Sequence, residues 1–80
     1  MARTSLRELL DRENVDPRSY AFDSPNPDEQ YCIQDSPNGW AVFYAERGLR
    51  RAEKIFAIED EACRDLLDRI LRDLTTRRRD

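Results

Sequence analysis

The stretch that decides the fold is YCIQDSPNGWAVFYAE, residues 31–46. Two apolar segments flank Asn38-Gly39, and this pair is a strong hairpin signal because both residues tolerate positive φ. Pro37 allows a slightly longer loop. We therefore predict strands at residues 30–35 and 40–46, joined by a tight turn.

The second strand is apolar on both faces. Trp40, Val42 and Tyr44 alternate with Ala41, Phe43 and Ala45. This pattern predicts a central strand, with Trp40 and Tyr44 at least partly buried. If those two aromatic side chains face outward instead, they are natural anchors for a partner, because aromatic residues dominate interface hot spots.

Regular elements are predicted on either side of this hairpin. A turn at residues 47–51, eased by Gly48, leads to a third strand at 52–57. Residues 59–74 carry apolar side chains at three- and four-residue steps, which predicts an amphipathic helix. A shorter stripe predicts a helix over residues 4–13, and Ser5 with Glu8 fits a capping box.

Residues 14–29 hold three prolines and favour turns. Tyr20 and Phe22 alternate with small residues, which indicates a brief extended stretch. Because long structureless loops are unusual in compact domains, we expect one of these rings to pin the segment to the core.

The predicted fold class is α+β, in the order α-β-β-β-α. It is a three-stranded antiparallel meander with both helices on one face, since each helix has one apolar stripe to bury. The chain is read as one small domain, 1–80, with a frayed basic tail at residues 75–80. The other sheet face stays partly open and is the first place to look for a partner.

Composition narrows the function more by exclusion than by indication. The chain has 80 residues, a net charge of −3 and no histidine. The negative net charge disfavours nucleic-acid binding. The absence of histidine removes the commonest general base and metal ligand. The element order resembles double-stranded RNA-binding domains, yet acidic residues at 59–61 stand where such domains place basic ones. We predict no cofactor and no metal.

The chain has no apolar run of signal-peptide or membrane-spanning length. Two cysteines are too few for a disulfide framework. We expect Cys32 and Cys63 to be buried free thiols in a cytoplasmic protein, with a single disulfide as the alternative.

Two groups of charged residues are candidate sites. The acidic loop with Asp23, Asp28 and Glu29 lacks calcium-loop spacing and is read as a polar turn or as a surface facing a partner's basic cleft. A basic group comprises Arg47, Arg50, Arg51 and Lys54. It is a patch for an acidic partner or, as favoured here, a solvated edge that discourages aggregation.

Catalysis is disfavoured. Glu46 and Arg47 could act as an acid and an electrophile, but no nucleophile, metal set or phosphate loop accompanies them. Cys63 lies at a helix start, where its pKa could fall, yet it belongs to the apolar stripe and follows three acids. We predict that the protein is not an enzyme.

The run Trp40 to Gly48, WAVFYAERG, followed by Glu59-Asp60-Glu61-Ala62-Cys63, resembles a family of small bacterial proteins. They share a W-x-V-x-Y-x-E-R-G strand and turn and an acidic helix start ending in Ala-Cys. The resemblance spans roughly residues 31–71. Such proteins lie near secreted polymorphic toxins, including NAD-glycohydrolase types, which implies a role as immunity proteins. Their Glu-Arg-Gly turn corresponds to Glu46, Arg47 and Gly48. Where they often have Ser or Thr as helix N-cap, this chain has Ile58.

The leading functional prediction is a non-enzymatic protein-binding module, and the resemblance implies an immunity protein that blocks a cognate toxin by occlusion. The residues predicted to bind the partner are Asp28, Glu29, Glu46, Arg47, Trp40 and Tyr44. The alternative is a structural or regulatory subunit that homodimerises through the open sheet face. Neither reading involves nucleic acid or a membrane.

Overall fold

A computed structural model describes residues 1–78 of the chain. One helix lies near each end of the chain and four strands lie between them, so the α+β class is confirmed. The elements are α1 Arg3–Arg12, β1 Tyr20–Phe22, β2 Gln30–Ser36, β3 Gly39–Glu46, β4 Leu49–Phe56 and α2 Glu59–Arg72. Two short 3-10 turns, Pro17–Ser19 and Leu74–Thr76, precede β1 and follow α2.

The sheet has four strands in the order β1-β2-β3-β4. The predicted antiparallel meander corresponds to β2, β3 and β4, whereas β1 pairs parallel to β2, with Tyr20 opposite Tyr31. The prediction of a purely antiparallel, three-stranded sheet was therefore incomplete. A three-residue strand among prolines has no periodicity to reveal it, and only its pairing with β2 makes it a strand.

The two hairpin turns differ in conformation. In the first, Pro37-Asn38 is the loop and Gly39 has φ +128° while Asn38 does not have positive φ. The fixed φ of proline excludes the expected left-handed Asn-Gly pair at the loop centre. In the second, Arg47 and Gly48 both have positive φ, which matches the twist of a two-residue hairpin and starts β4 at Leu49.

The main core lies between the helices and one sheet face. Its fully buried side chains include Leu6 and Leu10 of α1, Leu66 and Ile70 of α2, and Ile33 and Val42 of the sheet. Tyr20 and Phe22 pack against this cluster, which confirms that the segment before β2 is pinned by its aromatic rings. The predicted capping box is wrong, because α1 begins one residue after Ala2 and Ser5 lies inside the helix.

The second sheet face is not open at its centre. Cys32, Ala41, Phe43 and Ala45 form a second buried cluster there, each 1–3% exposed. Since β1 and β2 are parallel neighbours, their connection must return along the whole length of the sheet. Residues 23–29 make this return over the second face, and we call them the strap.

Hydrogen bonds hold the strap at both ends of the sheet. At one end, Asp23 Oδ1 accepts from the Asp35 amide at 2.8 Å. At the other, Asp28 Oδ1 accepts from the Arg47 amide at 2.9 Å. Between them, Pro25 and its neighbours line a small crevice above Phe43 and Ala45. The expectation of a partly open face fails because the crossover connection covers it.

The C-terminal segment packs against the rest of the domain as far as Arg78, whereas a frayed tail was predicted for residues 75–80. Thr76 is 2% exposed, and its hydroxyl lies 2.9 Å from the carbonyl oxygen of Ile70. The Thr76 carbonyl accepts from the Asp16 amide at 2.7 Å, and Arg78 N donates to the Asn14 carbonyl at 2.8 Å. These bonds attach the tail to the loop after α1. The remaining two residues of the predicted tail lie outside the described residues.

Candidate functional site

Five of the six predicted partner-binding residues lie at one end of the sheet. Asp28 and Arg47 are joined by the amide–carboxylate bond at 2.9 Å, and Glu46 immediately precedes Arg47 at the end of β3. Glu29 and Tyr44 line a cleft at this end of the sheet. We call this region, with Asp16 and Asp73, the acidic end. The strap brings Asp28 and Glu29 to the β3–β4 turn, where Arg47 lies 19 residues after Asp28 in the chain.

Trp40 lies away from this region, near the start of β3. The guanidinium of Arg3 stacks on its ring, with the central carbon 4.6 Å from the ring centroid. Arg3 Nε also donates to Glu59 Oε2 at 3.1 Å, and its guanidinium pairs with Asp23 of the strap. Trp40 is half-buried against the main core, as expected, and it anchors the joint between α1, α2 and the strap. The structure does not bring it together with the other five residues.

The cleft at the acidic end has a volume of about 390 Å³. Two tyrosines form part of its wall: Tyr31 and Tyr44 are cross-strand neighbours whose ring centroids lie 4.8 Å apart at an interplanar angle of 60°. The remaining lining comes from Glu29 and from two segments near the ends of the helices. These segments contribute Asp16, Arg18, Ser19, Asp73, Thr75 and Thr76.

Asp73 is held as a carboxylate by neutral donors. Its Oδ1 accepts from the Thr75 amide at 3.0 Å and from the Thr75 hydroxyl at 2.6 Å, and its Oδ2 accepts from the Tyr31 hydroxyl at 2.9 Å. The Thr75 hydroxyl is the largest cause that lowers the pKa of Asp73. Burial and the bond to Asp73 raise the pKa of Tyr31 to about 12. At neutral pH the pair is therefore a phenol donating to a full negative charge.

The field in the cleft is negative. The pKa of Tyr44 is raised, first by burial and then by the nearby charges of Glu29, Glu46, Asp73 and Asp28. The carbonyls at the C-terminal end of α2 carry partial negative charge, while Arg69 in the same turn acts in the opposite direction on Tyr31. The four carboxylates favour a cation near the Tyr44 hydroxyl.

Some of the carboxylates at the acidic end are already neutralised. Asp16 binds Arg18 through both carboxylate oxygens, at 3.3 and 3.0 Å, and Glu46 pairs with Arg51 Nε at 2.7 Å. Within residues 1–78, no Lys or Arg lies within salt-bridge distance of Glu29 or Asp73. Glu29 is exposed and makes no side-chain hydrogen bond in that part of the chain. Asp28 is exposed and has no cation partner in the described chain either, although its Oδ1 accepts from the Arg47 amide. Asp28, Glu29 and Asp73 are therefore the charges that a partner can use.

The basic group predicted around the β3–β4 turn is divided between separate contacts. The Arg50 guanidinium lies 4.2 Å from the Phe43 ring centroid on the strap side and bonds Gln34 and Glu53. Arg51 pairs with Glu46 at the acidic end. The positive charges are therefore spread along an edge strand, as in a solvated edge, and do not form one basic patch.

The cysteines are buried and unbonded, which confirms that part of the prediction. Burial raises the pKa of Cys32 to about 11 and also raises the pKa of Cys63, where Glu59 adds to the effect. A nucleophilic cysteine needs the opposite shift. In the described part of the chain, no three acidic or thiol side chains are grouped to hold a metal ion.

Sequence reasoning missed Tyr31, Asp73 and Asp16 as members of the site. Tyr31 and Asp73 are 42 residues apart, and the 3-10 turn after α2 is what brings the carboxylate back over β2. Nothing in the local pattern signals this contact. A wider groove of about 1240 Å³ runs between α1 and β1, and none of the six predicted residues lines it.

Comparison with known proteins assigns no family to this chain. No protein family, no curated protein and no solved structure gives a significant match to this chain. None of the helices in residues 1–78 has the length and apolar character needed to cross a membrane.

Proposed function

We propose that this chain is a non-enzymatic protein-binding module that covers a basic surface of a partner protein with its acidic end. The observation that carries the proposal is the convergence of Asp28, Glu29, Glu46, Arg47 and Tyr44 on one end of the sheet. They come from the strap and from the β3–β4 hairpin, so a single rigid surface presents them.

Charge and rigidity both favour such a role. Cation-free carboxylates at Glu29 and Asp73 attract a positive partner and speed its association. The surface is held by the Asp28–Arg47 bond and by the Tyr31–Asp73 bond, so little conformational freedom is lost on binding. Tyr31 and Tyr44 supply the aromatic area that interface hot spots use.

The proposed partner is a secreted toxin domain, which the resemblance over residues 31–71 supports, with a basic catalytic cleft that suits the acidic end. In this proposal the chain is a cytoplasmic immunity protein. Occlusion is the mechanism: the acidic end enters the cleft and excludes the substrate. No chemical step by this chain is required.

Homodimerisation through the second sheet face is less favoured. The strap covers that face, and its central residues Phe43 and Ala45 are each 3% exposed. A dimer of this kind requires the strap to leave its position. Light scattering at high concentration separates the two proposals, because the binding module is a monomer in the absence of its partner.

The test is co-expression in cells of this chain with the adjacent reading frame. We expect the neighbour to inhibit growth alone, co-expression to restore growth, and Glu29→Lys to abolish the rescue. Glu61→Lys is the matched control, because Glu61 is an equally exposed acid on α2 outside the acidic end. A harmless neighbour, growth inhibition that persists despite this chain, or full rescue by Glu29→Lys would overturn the proposal.

A further inference from the structure

We propose that the cleft lined by Tyr31 and Tyr44 receives one arginine side chain of the partner. This inference rests on the proposed function and deepens it, because it assigns the chemistry of the contact that anchors the partner. It depends on the shape and composition of the cleft as well as on its charge.

The cleft has the size of a side-chain pocket. Its volume of about 390 Å³ lies at the small end of ligand pockets, which run from about 300 to 1,000 Å³. Elements far apart in the chain line it: the strap end at Glu29, strands β2 and β3, and the turn after α2. It is open to solvent, so a side chain can enter it from a partner's surface.

Its walls combine aromatic rings with negative charge. Tyr31 and Tyr44 present ring surface, and a cation over a tyrosine ring is stabilised by the electron-rich face. Glu29 and Asp73 lie on the same lining, and neither is paired with a cation within residues 1–78. The C-terminal end of α2 adds negative potential from the backbone.

These features favour guanidinium over ammonium. A guanidinium is planar, stacks on aromatic rings and donates in several directions at once, so it can meet both carboxylates while lying against a tyrosine. An ammonium is compact and strongly hydrated and gains less from the rings. The fold already uses the same chemistry at its other end, where Arg3 stacks on Trp40 and pairs with Glu59.

Asp16 is not available for this contact. Arg18 occupies both of its oxygens, and the Arg18 side chain is 91% exposed at the rim. The incoming side chain therefore meets Glu29 first, as the exposed carboxylate, and then Asp73 and the tyrosines deeper in the cleft. This order makes Glu29 the residue whose change is most informative, since it has no structural bond to lose within the described chain.

The test is an NMR titration of the isolated chain with the pentapeptide acetyl-Gly-Gly-Arg-Gly-Gly-amide, observing the aromatic resonances of Tyr31 and Tyr44. The matched peptides carry citrulline, which has the same shape without charge, or lysine. We expect saturable shifts of both tyrosines with the arginine peptide, weaker binding with lysine and none with citrulline. Glu29→Gln should weaken arginine-peptide binding about fivefold, the upper range for an exposed ion pair. Glu61→Gln should leave it unchanged.

Equal binding of the citrulline or lysine peptide, unaltered binding to Glu29→Gln, or shifts confined to other residues would overturn the inference. The outcome is separable from that of the co-expression test. If Glu29→Lys abolishes rescue but the arginine peptide does not bind, the acidic end binds its partner without an arginine in the cleft. If the peptide binds but the neighbouring reading frame is harmless, the cleft is an arginine site and the immunity role fails.

Discussion

The backbone amide of Arg47 donates to Oδ1 of Asp28 across 2.9 Å, which joins the strap to the β3–β4 turn. Arg47 has φ +50°, so its amide points away from the hairpin ladder, where the strap carboxylate can meet it. One bond therefore holds the return connection over the second sheet face and also assembles the acidic end. Asp28 has a structural role that its place in an acidic loop did not reveal.

Replacing Asp28 by Ala and by Asn distinguishes its role as a hydrogen-bond acceptor from its role as a negative charge. We expect Asp28→Ala to lower the free energy of unfolding by about 1 kcal/mol, because the Arg47 amide loses its acceptor. Asp28→Asn should cost less, since its amide oxygen still accepts. Urea unfolding of both variants measures the difference, with Glu8→Ala on the exposed face of α1 as the control. Equal stability of the Ala and Asn variants would contradict the assigned bond.

The two turn glycines should differ sharply in their response to a methyl group. A Cβ at Gly39 would lie 2.4 Å from the Phe56 carbonyl oxygen, and φ there is +128°. At Gly48 the space is open and only the positive φ is unfavourable. We expect Gly39→Ala to cost about 3 kcal/mol or more and Gly48→Ala about 1–2 kcal/mol. Thermal unfolding of the pair measures this, and similar melting temperatures would refute the close approach of β4 to Gly39.

Ile58 is the N-cap of α2, with extended φ and ψ and no side-chain bond to the helix. Its side chain is 53% exposed, so it is not the packed core residue that would forbid a change. We expect Ile58→Ser to be neutral or stabilising. Ile58→Ala is the matched control, since it loses the same apolar contact without adding a cap. The Ser variant should exceed the Ala variant by about 1 kcal/mol in unfolding free energy; no difference between them would show that serine does not cap α2.

Burial of Tyr31, together with its bond to Asp73, should make stability fall at alkaline pH. The pKa of Tyr31 is raised to about 12, above the value near 10 of an unfolded chain, so folding favours the neutral phenol. Its contribution is fully present below pH 10 and is lost as the pH rises from 10 to about 12. Tyr44 and the buried cysteines act in the same direction.

Tyr31→Phe isolates this contribution. The variant should be less stable at pH 8 by about 1 kcal/mol, the value of one hydrogen bond, and should lose less further stability between pH 10 and 11.5 than the unaltered chain. Urea unfolding at several pH values measures both effects. Parallel pH profiles for the two proteins would mean that the pKa of Tyr31 is not raised in the folded chain, and equal stability at pH 8 would mean that Tyr31 does not donate to Asp73.

Part of the site was predictable because it depends on residue type along a short stretch. Acidic side chains at Asp28 and Glu29 and a turn eased by Gly48 follow from composition. The predicted turn over residues 47–51 was too long, because Arg47 and Gly48 alone form it and β4 begins at Leu49. The meeting of the acidic side chains with this turn was not predictable, because it depends on β1 pairing parallel to β2 and sending the strap over the second face. The role of Trp40 was likewise hidden, since its contact, Arg3, lies 37 residues earlier.

What the amino-acid sequence determined by itself is the set of local elements. The apolar stripes placed α1 and α2, and alternation with turn residues placed β2, β3 and β4, because these periodicities act between near neighbours. Only the tertiary structure decided the fourth strand, the covered second face, the docked tail and the tyrosine cleft. Each of these depends on contacts between residues distant in the chain, such as Tyr31 with Asp73, and such contacts exist only once the core has brought the elements together.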